Sequence, residues 1–461
     1  MSTTTPHWAD AKPWHTNIAL ALLGAALFWF SGQYVRESHA FWIGFSGTSS
    51  SMAVLYLASC FLVLTQPADR WTMRILWTVA IACNLVTIFA PPFSSTDIYR
   101  YVWDGIVQHA GINPYRYLPA DHALANLQKN YSDIYENINR KEYARTIYPP
   151  AAQWVDYLIT AVSPTVTCFK FFMVLFEGLT CWALIRLLTA LGRPREQVLL
   201  FAWCPLLTWE FGGGGHLDAI AITFIALALL YRFRDSRVLT GVFLGLAVIT
   251  KIYPLVLFPA LYRKGDWKMP AAMTATIAAG YACYSSAGML IFSFFNGYAK
   301  EEGLDTGTRY FLLELAQKTA GFHWLSNGIF LALCALIFAG ISLWAFSISL
   351  ERGGAFLRPA FALAFALMIL FSPHYGWYIA WLIPFFCLIP NLPLATYLMA
   401  FFYGYTTWWA DPGPKMFYLN KWLYGVTLMA VLLHLAWNAL KPFRPALFAR
   451  PAFPASKEIN V

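Results

Sequence analysis

The sequence predicts an all-α polytopic membrane protein, on three observations. Apolar residues make up 59% of the 461-residue chain and charged residues only 12%, about half the charged fraction of a soluble domain. The apolar residues fall into repeated runs of the length a helix needs to cross ~30 Å of hydrocarbon. Trp and Tyr gather at run ends (Trp71, Trp324, Trp377, Trp381, Trp408, Trp409), as in an interfacial aromatic belt. No fixed repeat, low-complexity tract or linker divides the chain, so residues 1–461 read as a single integral membrane domain.

The first apolar stretch, 16–34, outruns a typical signal-peptide core and reads as a retained anchor. Stretches at 41–64 and 72–91 follow, then a polar gap over 92–167. Beyond it lie 168–190, 197–211, 216–231, 238–250, 252–262 and 269–287. A second polar gap, 288–325, precedes 326–348, 356–372, 376–389, 391–408 and 420–438. Several are too short to cross alone at 1.5 Å per residue, and those within 197–231 and 238–262 read as broken or re-entrant helices. About 11–14 crossings are expected.

Charge sets the orientation. With the N-terminus in the cytoplasm, 18 of the 32 Lys and Arg residues fall on short inner segments, as the positive-inside rule requires. The two long gaps then become outer loops, the first (92–167) holding six basic and seven acidic side chains. Polar clusters at Gly212–Asp218, Ser372–Trp377 and Trp408–Lys415 fall on the same face. The net charge of +9 is thus a matter of topology, and its scatter over short loops excludes nucleic-acid binding. The eight cysteines sit in or beside apolar runs with no Cys-x-x-Cys spacing, so disulfides and thiolate metal sites are not expected. His-x-x-x-His and Glu-x-x-His spacings are missing as well. No bound cofactor or zinc is expected, with a loosely held divalent cation left open.

The chemistry gathers at the start of the first outer loop. Ser95 or Thr96 can cap a helix whose first turn holds Asp97, and Asp97, Tyr101 and Asp104 share its face at i, i+4 and i+7. Arg100 and Trp103 lie between them, and Gly111 with Asn113-Pro114 stops the helix. A loop carboxylate is ordinarily just solvated. One placed against a membrane boundary among aromatics is partly desolvated and suited to take a proton from an acceptor hydroxyl. Asp97 is the expected base, and Asp104 a second base or a ligand of sugar hydroxyls.

Four further features stand out. Glu210-Phe-Gly-Gly-Gly-Gly-His216-Leu-Asp218 breaks a helix and admits close backbone approach, as an elbow or as a site wall; it lacks the Lys-Ser/Thr of a phosphate loop. Lys251 interrupts an apolar run, so it either snorkels or meets a lipid phosphate. Ser372-Pro-His374-Tyr375-Gly-Trp377-Tyr combines an imidazole with rings that stack on sugars. Arg309 in the second outer loop is a weaker anion ligand, and Glu177 in mid-span either pairs with a polar group or stays protonated.

The run Ser95-Thr-Asp97-Ile-Tyr-Arg-Tyr-Val-Trp-Asp104-Gly, continued by Ile112-Asn-Pro-Tyr-Arg-Tyr, resembles bacterial GT-C-fold glycosyltransferases, and among them the mannosyltransferase-like group that uses polyprenyl-phosphate sugars. Thr146-Ile-Tyr-Pro-Pro-Ala, Gly215-His-Leu-Asp-Ala, Lys251-Ile-Tyr-Pro-Leu and Ser372-Pro-His-Tyr-Gly-Trp-Tyr resemble later landmarks of that group, so the similarity spans roughly 90–390. The resemblance implies a GT-C-like fold in the bacterial inner membrane and an inverting transferase whose site faces the periplasm. It also implies a polyprenyl-phosphate sugar donor, with mannose the expected sugar, and a lipid or glycan acceptor. Asp97 would be the base, basic groups (Arg100, His216, Lys251, Arg309, His374) would receive the lipid phosphate, and Tyr101, Trp103, Asp218, Tyr375 and Trp377 would line the sugar site. The strongest rival is a flippase or transporter for a lipid-linked sugar, which would share the broken helices and buried cations.

Overall fold

Helices and irregular connections make up the whole of the computed structural model, which describes residues 12–37, 45–92, 95–348, 353–407 and 414–440. Most of the Trp408–Lys415 cluster, Arg352 and the basic residues from Lys441 onward lie outside the described residues. No strand occurs among those described. The chain is an all-α polytopic membrane protein.

Three antiparallel helices, Pro13–Glu37, Phe45–Thr65 and Arg70–Ile88, open the chain. Their ends are pinned by side chains. Asp69 caps the third helix through the amides of Trp71 and Thr72, Thr72 returns a bond to the Asp69 amide, and Asn17 on the first helix donates to Asp69 at 3.0 Å. Satisfying both the first-turn amides and the cap in this way fixes where the helix begins. At the opposite end, buried Lys170 from the Val166–Ala190 helix donates to the Thr87 and Ala90 carbonyls, which the end of a helix leaves unpaired.

The centre is a layer in which Val166–Ala190 packs on Asp218–Phe233, that helix on Arg237–Val248, and Arg237–Val248 on Lys268–Ala282. Asp218–Phe233 is apolar all round and buried over nearly its whole length, as a helix surrounded by others must be. The mid-span Glu177 approaches Asn84 of the third helix, and one of its buried carboxyl oxygens has no hydrogen-bond partner. Later helices, Asn327–Ile348, Leu357–Phe371, Leu392–Thr407 and Pro414–Leu440, complete the bundle.

Among the described residues six helices are by themselves long and apolar enough to cross a bilayer, and a seventh span forms if Lys268–Ala282 and Ser285–Glu301, bent by 104°, count as one. The expected number of crossings exceeds that, and the difference lies in short or broken pieces. The stretch 197–211 resolves into brief turns ending in a π-helical segment, Thr208–Gly213. The stretch 252–262 is two single turns. Broken helices at this depth are tolerated where protein surrounds them, and residues 198–230 are almost entirely buried.

The first long polar stretch, 92–167, carries helices of its own. Asp97–His109 packs against Pro150–Val162, and Gly105 makes the approach possible, since a Cβ there would lie 2.6 Å from the Asp156 carbonyl oxygen. Both are short amphipathic helices, expected of an interfacial layer rather than a span.

Candidate active site

Five stretches far apart in sequence converge at one end of the bundle: the start of the 97–109 helix, Tyr148, the 210–218 elbow, Lys251–Tyr253 and residues 372–381. The elbow turns on Gly215, which adopts φ +69° and packs so tightly on Ile98 that a Cβ would collide with it. Only glycine meets both demands, and the contact brings the elbow against the Asp97 helix.

Asp97 is half-buried. Its Oδ1 accepts a 2.7 Å hydrogen bond from Asn139, and its own amide is capped by Ser95 Oγ at 3.1 Å, while Thr96 makes no side-chain cap. Its charge reaches Tyr101, Tyr148, His216 and Tyr375. Burial, reinforced by Asp97, pushes the Tyr148 phenol well above its ordinary range, so it remains a donor at neutral pH.

The cation opposite is Lys251. Its Nζ lies 3.1 Å from Asp218 Oδ2 and over the rings of Tyr148 and Tyr378 at 5.6 and 5.7 Å. Asp218 is fully buried and also accepts from the Tyr253 hydroxyl. Asp218 therefore holds Lys251 in place rather than presenting itself to a sugar. Snorkelling is not needed to explain Lys251, because its charge has a counter-ion and two ring faces.

His216 is buried and directed by Glu210, whose Oε2 lies 2.7 Å from His216 Nδ1. The imidazole stacks on Trp377 at 4.1 Å and Trp377 on Tyr375 at 4.3 Å. Trp377 is thus enclosed between two rings, and half-buried Tyr375 is the outermost of the three.

Other expected residues sit elsewhere. Arg100 and Asp104 form a buried ion pair at 2.8 Å, with Gln153 donating to the second Asp104 oxygen at 2.9 Å and Arg100 donating to the Ala144 carbonyl at 3.0 Å. Asp104 is taken up by tying the 97–109 helix to Gln153 of the 150–162 helix and Arg100 by tying it to the Ala144 carbonyl, which leaves neither placed for a phosphate or a sugar. Trp103 is 1% exposed and packs on Tyr135, so it has no ring face for a sugar. Tyr101 is enclosed by Tyr148 and Phe169 and forms wall rather than contact surface. Burial, with Arg309 adding its charge, pulls His374 down to about 3. A neutral imidazole offers a phosphate hydrogen bonds but no charge.

Two residues escaped the sequence reading. Arg140, with φ 57°, places its Nε 2.7 Å from Glu301 Oε2. Burial works against its charge, but the carboxylates of Asp97 and Glu301 outweigh that and keep it firmly ionised. Nothing in the local pattern Asn139-Arg140-Lys141 marks it; only the fold brings it to Asp97. Asp156 was equally unmarked. It is fully buried in the 150–162 helix, neither oxygen has a hydrogen-bond partner, and burial followed by the Asp104 charge pushes its carboxyl well above the usual range. Among the described residues no group of three or more His, Cys, Asp and Glu is placed to hold a metal ion.

The fold and this cluster together define a polytopic membrane protein in which a half-buried carboxylate, a lysine–aspartate pair and stacked rings gather at one end of the bundle. The chain belongs to the family described as alpha-(1->6)-mannopyranosyltransferase, N-terminal domain, which matches residues 16–263. It is similar to alpha-(1->6)-mannopyranosyltransferase A of Corynebacterium glutamicum, 22% identical over 203 residues, or 43% of this chain and 40% of the relative. It is also similar to a Mycolicibacterium smegmatis protein described as a probable alpha-(1->6)-mannopyranosyltransferase, 28% identical over 153 residues, 32% of this chain and 26% of the relative. The matches thus cover less than half the length of these relatives. No solved structure matches the chain.

Proposed function

We propose that this protein is a membrane glycosyltransferase that moves mannose from a polyprenyl-phosphate donor to a lipid or glycan hydroxyl on the outer face of the bacterial inner membrane. The observation that carries the reading is the gathering, from distant parts of the chain, of half-buried Asp97 and Lys251 around Tyr148 beside the Tyr375–Trp377–His216 stack. Family membership supports the transferase class and the sugar.

Asp97 accepts the proton of the acceptor hydroxyl as its oxygen attacks the anomeric carbon. The bond from that carbon to the phosphate oxygen breaks, and the polyprenyl phosphate leaves with the electron pair. Charge grows on the phosphate in the transition state, so fixed cations there lower the barrier. Lys251, held by Asp218, which Tyr253 fixes in turn, is one such cation. Tyr375 offers a ring for the sugar, and neutral His374 a hydrogen bond. The donor's own phosphate ester supplies the driving force, so no nucleotide site is needed.

The helix polarity supports an outward site. Asp218 opens the 218–233 helix inside the pocket while Arg232 and Arg234 close it, roughly 24 Å away at 1.5 Å per residue. Arg186 and Arg193 likewise end the 166–190 helix, whose start lies at the pocket end. The basic residues thus crowd the end away from the site, which the positive-inside rule assigns to the cytoplasm.

The test is to incubate the purified protein in nanodiscs with polyprenyl-phosphate mannose, other polyprenyl-phosphate sugars and a nucleotide-linked mannose. Loss of mannose from the first alone supports the reading. Consumption of the nucleotide sugar, or passage of the lipid-linked sugar across a bilayer with no sugar released, would overturn it, the latter in favour of a flippase.

A further inference from the structure

Two outer-loop arginines each carry a carboxylate supplied by the chain itself, and the two carboxylates are consecutive. Glu301 ends the Phe295–Glu301 helix and pairs with Arg140 at 2.7 Å; Glu302 follows and pairs with Arg309. One short element thus supplies the counter-ions of both. Both guanidinium charges reach Tyr375, as do those of Asp97 and Glu301, so the two pairs border the pocket described above.

The pairs differ in depth. The side chains of Arg309 and Glu302 are 7% and 6% exposed, whereas those of Arg140 and Glu301 are 31% and 28% exposed. A buried pair is costly to separate; a partly solvated one is held weakly and exchanges partners readily. Arg140 is also the cation tied most closely to the base. It follows Asn139, the hydrogen-bond donor to Asp97, and its left-handed backbone is uncommon for a residue other than glycine. A guanidinium takes a phosphate in the same forked geometry in which it takes a carboxylate.

We propose that Arg140 is a phosphate-binding residue of this site and that Glu301 is its exchangeable counter-ion, displaced when the headgroup of a polyprenyl phosphate binds. Arg309–Glu302 then remains closed and anchors the second outer loop while Arg140 changes partner. The inference rests on the transferase reading for the identity of the lipid, but not for the exchange itself. In that exchange the Arg140–carboxylate contact breaks, an Arg140–phosphate contact forms, and no covalent bond changes.

The test titrates a long-chain polyprenyl monophosphate into the full-length protein in nanodiscs and follows tryptophan fluorescence, with inorganic phosphate as a parallel probe. Arg140→Gln weakens lipid binding roughly tenfold or more and Glu301→Gln strengthens it by a similar factor, each tenfold being about 1.4 kcal/mol. The double variant behaves as Arg140→Gln. A purely structural ion pair gives the opposite sign for Glu301→Gln, since either substitution would loosen the loop; weaker lipid binding by Glu301→Gln, or no change in either variant, overturns the proposal. Equal competition by inorganic phosphate overturns the assignment to a lipid headgroup. Both shifts with the expected signs, in a protein that transfers no sugar, would uphold the phosphate site and sink the transferase reading.

Discussion

The first turn and the middle of the Asp97–His109 helix carry the same kind of residue in opposite states. In its first turn, Asp97 is half-buried, holds one hydrogen bond from Asn139 and acts electrostatically on Tyr148, His216 and Tyr375. Two turns on, Asp104 is 1% exposed and has both oxygens occupied, one by Arg100 and one by Gln153. Reactivity in a carboxylate requires an unoccupied lone pair and a route for substrate, whereas stability requires the reverse. On the proposed function, the helix thus divides labour along its length, its first turn offering the base and its middle holding the 97–109 and 150–162 helices together.

That division makes each substitution diagnostic. The largest effect belongs to Asp97→Asn, which is expected to lower the rate of sugar transfer by ~10²–10⁴-fold with the thermal midpoint unchanged. Comparable transfer by the variant would end the assignment of Asp97 as base. Asp104→Asn should do the reverse, leaving Arg100 buried without its counter-charge at a cost of about 3–5 kcal/mol, while turnover per folded molecule persists. Thermal denaturation with a parallel activity assay separates the two.

Asp156 adds a pH dependence beside this pair. Its folded-state carboxyl titrates well above the ordinary range because of burial and Asp104, so its contribution to stability is fully present below the usual carboxylate pKa and is lost as pH rises toward the folded value. Asp156→Asn should therefore change the melting temperature little at pH 4 and raise it relative to wild type at pH 8. A difference independent of pH would contradict this. Gly105→Ala, which drives a methyl into the Asp156 backbone, should cost about 1–3 kcal/mol through overpacking. Lys141→Met breaks the Lys141–Glu136 pair, in which Glu136 is 68% exposed, and should change stability by no more than ~1 kcal/mol.

Much of this was legible in the sequence. The membrane class and the broken helices within 197–231 and 238–262 follow from residues out of keeping with their apolar surroundings, and the same signal singled out Asp97, His216, Lys251 and Tyr375, which the fold gathers at one end of the bundle. Face arithmetic misled at Asp104, because residues sharing a helical face at i and i+7 still stand about 10 Å apart along the axis. That distance suffices here to carry a side chain from a pocket into a core. Trp103 was misread for a related reason: the helix is packed on several sides, so nine of its 13 residues are buried and ring chemistry says nothing of exposure. Arg140 and Glu301 were invisible because their meaning lies only in tertiary proximity between loops more than 150 residues apart in sequence.

The central claim, that Asp97 stands on the outer face inside the pocket that receives a lipid phosphate, is tested most directly by Asp97→Cys. Cys168 and Cys283 are replaced by serine beforehand, the remaining native thiols being buried. A membrane-impermeant maleimide added to spheroplasts should label the introduced thiol, and a polyprenyl phosphate should protect it. Labelling only after the inner membrane is opened, or labelling that the lipid leaves unchanged, would contradict the account.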